Sequence, residues 1–317
     1  MRLGGAARYV IEVESLDDVR NAYAFAGERG LSVYVLGGGS NVIGRDEGFD
    51  GVIVVNRILG MEDLGDGLFR GCGGEIFDDF IAFGVDRGYS GMEAMSGVPG
   101  TLGAAPVQNV GAYGQDMAGV LDLVEVFDSR DGGVVKFTTS EMGLGYRRSI
   151  FNDGADAGRY FILSVTVRLS RDELTPPFYT SLQKYVDEHG VSDFSPASVR
   201  RMVMEIRAEK LPDPAVTASA GSFFKNVYLR ADEVAGAEAR GIQMWDGGKV
   251  PAGWLIEQTG LKGREFYGFV VSDKAALILI NESATSYADL ARAREAISDA
   301  VYEKFGLRLE QEPVEIG

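Results

Sequence analysis

Residues 8–14 are rich in β-branched and aromatic side chains and predict a strand. The period then changes: Leu16, Val19, Tyr23 and Ala26 recur at helical spacing. Ser15 stands where an N-cap belongs, Asp17 and Asp18 fall in the first turn, and Gly30 is the expected stop. A β-rich run at 32–36 leads into G-G-G-S-N at 37–41, and a further strand is expected over 51–56. From 68 to 169 the pattern is mostly strand (121–128, 134–138, 161–169), with one helix over 75–87 stopped by Gly88. Ser195-Pro196 opens a helix whose apolar stripe is Val199, Met202, Val203 and Ile206. It runs out at Arg207 and Lys210 before the breaker Pro212-Asp213-Pro214, the clearest boundary in the chain. Beyond lie 221–226, a loop-rich stretch to Trp254, a strand over 276–281, and a helix from about 286 to 305 ended by Gly306. No internal repeat interrupts this order.

Two glycine-rich segments break the pattern. The run V-P-G-T-L-G-A-A-P-V-Q-N-V-G-A-Y-G at 98–114 can be neither a long helix nor a central strand, yet it is apolar rather than solvating. Its backbone N–H groups must be satisfied, either by tight packing within a structural loop or by an anionic ligand lying along it. The loop at 37–41 lacks the Rossmann spacing, since a strand rather than a helix follows, and no G-K-[ST] is present for a P-loop. It reads either as a nest of N–H groups able to hold a diphosphate or as a plain turn.

Composition narrows the chemistry. The chain has 317 residues, 45% of them hydrophobic, enough for two or three domains with full cores. No apolar run approaches the ~20 residues of a membrane span, and residues 1–10 lack the apolar core of a signal peptide, so a cytoplasmic location is expected. The formal net charge of −16 argues against nucleic acid as a partner. There is one cysteine, Cys72, and one histidine, His189, which excludes internal disulfides and Cys/His zinc sites. A Ser-His-Asp triad would have to use His189, which the polar context V-D-E-H-G-V otherwise places at the end of a surface helix. Cys72 has no nearby histidine to activate it and reads as a small buried residue. Catalysis must therefore use hydroxyls, carboxylates, Arg or Lys, or a cofactor.

An ordered set of motifs spans nearly the whole chain. It comprises R-L-G-G-A-A at 2–7, V-L-G-G-G-S-N-V at 35–42, the 98–114 run, G-Y-R-R-S-I-F at 145–151, K-L-P-D-P at 210–214, A-G-S-F-F-K-N at 220–226, A-G-W-L-I-E-Q at 252–258 and L-E-Q-E at 309–312. Together they resemble the UDP-N-acetylenolpyruvoylglucosamine reductase family of peptidoglycan precursor synthesis. The resemblance implies an α+β fold: a two-subdomain FAD-binding unit of the vanillyl-alcohol-oxidase/PCMH type over 1–57 and 58–209, and an α+β substrate-binding domain over 210–317. It implies FAD as cofactor, held non-covalently because no histidine lies in either glycine loop, NADPH as co-substrate, a UDP-sugar as substrate and a monomeric chain.

The same resemblance carries roles to particular residues. Gly37, Gly38, Gly39, Ser40 and Asn41, with Pro99, Gly100, Gly103, Ala104, Gln108, Asn109, Gly111, Ala112 and Tyr113, would line the cofactor. The implied reaction reduces an enolpyruvyl ether to a lactyl ether. It needs a cation for the enolate-like charge, matched by Arg147, a carboxylate partner, Glu312, and a proton donor, Ser222. Tyr146, Tyr179, Arg207, Lys210, Lys225 and Asn226 would contact the substrate, its carboxylate and phosphates needing cations that an acidic chain must supply locally. Taken alone, Ser222 reads as a helix or turn cap, Arg147 as a surface ion pair and Glu312 as a solvated tail residue. Three departures stand out. The family's Thr-rich segment before R-x-G-G has no counterpart here; L-E-Q-E-P-V replaces L-E-P-E-V; and Met244-Trp245 occupy the place of a family tyrosine. A flavin-dependent alcohol oxidase would share the two glycine loops, and a non-catalytic nucleotide-sugar-binding protein would explain the basic residues.

Overall fold

Ser15 starts the first helix through its hydroxyl, which accepts a hydrogen bond from the Asp18 N–H at 3.2 Å. The helix Leu16–Glu28 follows in the computed structural model, which describes residues 1–152, 158–213 and 216–317; Pro214 of the breaker lies outside the described residues. The chain divides into two units, one of residues 7–39 and 50–209, the other of residues 1–6, 40–49 and 210–317.

Among the described residues, the larger unit holds two sheets of three or more strands. In the three-stranded one the order is Ala7–Val13, Phe49–Asn56, Ser32–Leu36, and the last two run parallel with Val33 opposite Val52 and Val35 opposite Val54. The helix Leu16–Glu28 buries Val19, Ala22 and Ala26 in the same cluster as Val52 and Val54. The second sheet is antiparallel, in the order Val134–Thr138, Leu121–Asp128, Tyr160–Arg168, Leu68–Cys72, Met61–Gly65. Phe77, Phe80 and Ile81 of the helix Phe77–Val85 join Phe69, Val124 and Val165 in its core. Full burial of each such side chain stabilises by roughly 1.5–3 kcal/mol, whereas an exposed ion pair such as Arg168–Asp122 contributes about 0–1 kcal/mol. Apolar packing therefore holds this sheet. The helices Thr180–His189 and Pro196–Lys210 bring Leu182 and Val186 together with Val199, Met202 and Ile206. The first of these has only two buried side chains, too few to show as a stripe in the sequence. His189 ends it, exposed and stacked on Tyr185 at 4.0 Å between ring centres. Cys72 is half-buried, and burial pushes its thiol up, away from the reactive thiolate.

The smaller unit draws on three separate parts of the sequence. Val314–Ile316 pairs in parallel with Val42–Gly44, Gly5 N–H donates to Arg45 O at 2.8 Å, and Tyr287 N–H donates to the Asp46 carboxylate at 2.8 Å. Residues 40–49, assigned from sequence to the 1–57 span, thus pack with residues 210–317. The reason is a strand pairing between segments some 270 residues apart, which no local pattern encodes. The helix Tyr287–Phe305 has the predicted ends: Ser286 Oγ accepts from Asp289 N–H at 3.1 Å, and Gly306 takes a left-handed φ of +70°. Leu290, Ile297 and Val301 meet Phe223, Phe224 and Ile43 in its core. The strand expected over 276–281 is confined to Leu279–Asn281, paired with Phe269–Val271. Two short helices, Ala231–Ala239 and Ala252–Gln258, fall in the stretch that reads as loop-rich.

Candidate active site

Within the larger unit the two glycine segments meet. A Cβ on Gly38 would sit 3.0 Å from Gly100 Cα, so the chains run backbone against backbone there, and one on Gly37 would sit 2.5 Å from the Thr101 side chain at Oγ1. Gly100 has φ +124° and Gly39 has φ +68°, conformations that favour glycine. At Gly39 a Cβ would meet only Leu36 Cδ1, at 3.9 Å. The result is a cradle of bare backbone, open at Gly39 and closed where Gly38 meets Gly100, of the kind that lets a ligand approach the backbone. Not every glycine of the run serves it. A Cβ on Gly103 would lie 2.9 Å from Gly73 O, and one on Gly111 would lie 2.8 Å from Asp116 Cβ, so these two are required by packing. Pro99 and Ala104 are exposed and Gln108 is half-buried. Ser40 and Asn41 continue into the smaller unit, where Asn41 O accepts from Val314 N–H at 3.0 Å.

Three of the residues singled out above have left-handed backbones: Asn109 (φ +42°), Tyr113 (+49°) and Arg147 (+55°). Among the described residues only six non-glycines do, the others being Arg2, Asp66 and Tyr267. Such a conformation costs a side chain other than Asn or Asp about 1–2 kcal/mol. Tyr113 and Gly114 (φ +91°) connect the paired strands Gly111–Ala112 and Gln115–Asp116, the sign pattern of a type I′ hairpin. That turn normally takes Asn-Gly; here it presents a tyrosine. The Tyr113 ring lies edge-on to Tyr179 at 5.9 Å, and its hydroxyl feels the positive charge of Arg207. Burial raises the Tyr113 and Tyr179 hydroxyls and lowers the Arg207 guanidinium, which Tyr113 partly offsets.

Arg147 sits in a tight turn closed by Gly145 N–H to Arg148 O (3.0 Å) and Arg148 N–H to Gly145 O (3.3 Å). Its guanidinium carbon lies 5.4 Å from the centre of the Tyr146 ring. Asn109, expected to line the cofactor, is 6% exposed and uses both ends of its amide on backbone: Nδ2 donates to Gly145 O at 3.1 Å and Oδ1 accepts from Ala118 N–H at 2.9 Å. It therefore ties the 98–114 run to the Arg147 turn. Asn152 and Ser149, to which the sequence assigned no role, complete these ties. Asn152 Nδ2 donates to Arg147 O at 3.2 Å, and Ser149 Oγ donates to Val107 O at 2.7 Å. Their only trace in the sequence is their place, Ser149 within G-Y-R-R-S-I-F and Asn152 directly after it.

In the smaller unit, Ser222 and Glu312 lie on adjoining segments. Glu312 N–H donates to Phe223 O at 2.9 Å, Lys225 N–H donates to Glu310 O at 2.8 Å, and Phe224 pairs with Gln311. Ser222 and Glu312 are both partly buried, and Ser222 Oγ makes no hydrogen bond among the described residues. Lys225 Nζ binds the exposed Glu310 carboxylate at 2.5 Å. Asn226 Oδ1 accepts from Ala252 N–H at 3.0 Å, holding the start of the helix Ala252–Gln258. Lys210 is the last residue of the helix Pro196–Lys210.

Comparison with known proteins decides the family. UDP-N-acetylenolpyruvoylglucosamine reductase of Pseudomonas aeruginosa is 36% identical over 318 residues, covering 97% of this chain and 93% of its own. The chain belongs to the UDP-N-acetylenolpyruvoylglucosamine reductase family. The enzyme of that name from Ralstonia nicotianae is 36% identical over 330 residues, covering 99% and 95%. Residues 213–316 match the UDP-N-acetylenolpyruvoylglucosamine reductase C-terminal domain, and residues 7–138 match an FAD binding domain. The crystal structure of the reductase from Thermus caldophilus superposes with a TM-score of 0.64 at 23% identity, covering 97% of this chain and 92% of its own, a likeness of fold. The α+β fold read from the family motifs, an FAD-binding unit followed by a reductase C-terminal domain, is thus the fold of this chain. Both glycine segments lie within the FAD-binding match, and Ser222, Lys225, Asn226 and Glu312 lie within the C-terminal match. Arg147, Tyr179, Arg207 and Lys210 fall between them. None of the described helices is long and apolar enough to cross a membrane.

Proposed function

We propose that this protein is an FAD-dependent, NADPH-driven oxidoreductase that reduces UDP-N-acetylglucosamine enolpyruvate to UDP-N-acetylmuramate in peptidoglycan precursor synthesis, acting as a monomer in the cytoplasm. Likeness to reductases of that name over nearly the whole length carries the reading, supported by the meeting of Gly38 and Gly100 inside the FAD-binding match.

FAD, when bound, supplies the hydride relay from NADPH to the terminal carbon of the enolpyruvyl group. The bare backbone around Gly38, Gly39 and Gly100 fits a cofactor diphosphate, and Tyr113, presented by its hairpin, fits the rim of the ring. Arg147 holds a fixed positive charge against the enolate-like density beside the substrate carboxylate. Ser222 gives its hydroxyl proton to the carbon bearing that carboxylate, which completes the lactyl ether. A serine is a weak acid, so the step depends on the strong basicity of the carbanion. Glu312 is the carboxylate partner. Arg207, Lys210, Lys225 and Asn226 meet the carboxylate and phosphates, and Tyr146 and Tyr179 cover the sugar nucleotide.

The purified protein should be yellow, bleach with NADPH, and regain colour when the enolpyruvyl sugar nucleotide is added without oxygen. Bleaching with no recovery would rule out this substrate. Acid precipitation should release the flavin into the supernatant; colour held by the pellet would mean a covalent link. Gly38→Ala tests the cradle, because its Cβ would press on Gly100 and such overpacking costs about 1–3 kcal/mol. The variant should lose flavin on gel filtration while the unit stays folded by circular dichroism. Wild-type flavin content would place the cofactor elsewhere.

A further inference from the structure

We infer that Asn109 and Asn152 act as a two-sided clamp that holds the Arg147 turn in its left-handed conformation, making both positioning residues for the guanidinium. The inference rests on the role proposed for Arg147.

The two asparagines are wired alike. Each accepts a peptide N–H through Oδ1, from Ala118 at 2.9 Å for Asn109 and from Ser149 at 2.9 Å for Asn152. Each donates through Nδ2 to a carbonyl of the turn, Gly145 O at 3.1 Å and Arg147 O at 3.2 Å. The two carbonyls bracket the Tyr146–Arg147 pair, the second of which has φ +55°. A turn of this sign pattern favours glycine or asparagine at that place, so an arginine needs outside support to stay there. Ser149, 1% exposed, adds a third tie through Val107 O. The clamp thus joins the turn on one side to the 98–114 run and on the other to the chain that follows it. A side chain's aim depends on its own φ and ψ, so loosening the clamp displaces the guanidinium without removing it.

The two asparagines allow a substitution that deletes one function of the amide and keeps its shape. Asn152→Asp retains the acceptor for Ser149 N–H but places a carboxylate oxygen against Arg147 O, where neither can donate. A protonated carboxyl restores the donor. Among the described residues, charged groups on the segments around the clamp are Arg147 and Arg148 on the turn, Asp116 on the segment 115–119 and Glu141 on the segment before the turn. The lost bond favours the protonated acid and the two arginines oppose it, so recovery is expected as the pH falls from about 8 toward 5.

The holoenzyme is assayed by stopped flow, each half-reaction separately. In Asn152→Asp, reduction by NADPH should proceed as in the wild type. Reoxidation by the enolpyruvyl substrate should slow on the order of 10–100-fold at about pH 8 and recover toward low pH relative to the wild type. Asn109→Asp, which keeps the Ala118 bond, should show the same recovery. Unchanged reoxidation in Asn152→Asp, or slowing that does not vary with pH, overturns the clamp. Arg147→Met separates the two claims. If it slows reoxidation while Asn152→Asp does not, only the clamp falls. If it reoxidises like the wild type, the role of Arg147 falls and takes the clamp with it. Should Asn109→Asp not fold, Asn152→Asp decides alone.

Discussion

Replacing Ser222 by alanine is expected to leave reduction of the bound flavin by NADPH near the wild-type rate and to slow its reoxidation by the enolpyruvyl substrate ~10²–10⁴-fold, the usual contribution of a positioned proton donor. The asymmetry follows from the chemistry. Hydride arrival from NADPH needs no proton from the protein, whereas the product is complete only when a proton reaches the carbon beside the carboxylate. The local structure favours a specific loss over a global one. Ser222 is partly buried and its Oγ makes no hydrogen bond among the described residues, so the substitution leaves no buried partner unsatisfied. Stopped-flow traces with unchanged reoxidation would remove Ser222 from the reaction.

A second large effect is expected at Glu312. Glu312→Gln should impair reoxidation of the reduced flavin far more than Glu310→Gln does, while both variants retain FAD. Sequence spacing leaves the two acids equivalent, since in an extended segment residues two apart share a face. Their surroundings separate them. Glu310 is exposed and joined to Lys225, so its loss costs a surface ion pair, worth about 0–1 kcal/mol, and loosens one cation. Glu312 is partly buried, and its N–H is fixed to Phe223 O, the residue next to Ser222. Wild-type activity in Glu312→Gln, or a loss confined to Glu310→Gln, would move the carboxylate role elsewhere. Pro313 follows Glu312 in place of the usual Val, and it does not disturb the pairing of Phe224 with Gln311.

Chain-local chemistry is what the sequence determined by itself. Ser15 and Ser286 cap their helices, Gly306 ends one, and the strands 121–128 and 134–138 lie where the apolar pattern puts them. These features depend on residues within a few positions of one another, so a linear reading suffices. The two glycine runs were also legible as exceptional, because a chain tolerates so many glycines and prolines only where its backbone must do something unusual. The tertiary structure alone decided what each glycine is for. Gly38 and Gly100 share a cradle, while Gly103 and Gly111 make room for Gly73 and Asp116. Likewise, it alone placed 42–44 beside 314–316, set Glu312 next to the Ser222 segment, and tied Asn109 to the Arg147 turn. Each of these is a pairing across 36 to about 270 residues of chain. Such a contact forms because each core gathers apolar side chains from distant parts of the chain, and no single residue pattern announces which distant backbone will arrive opposite.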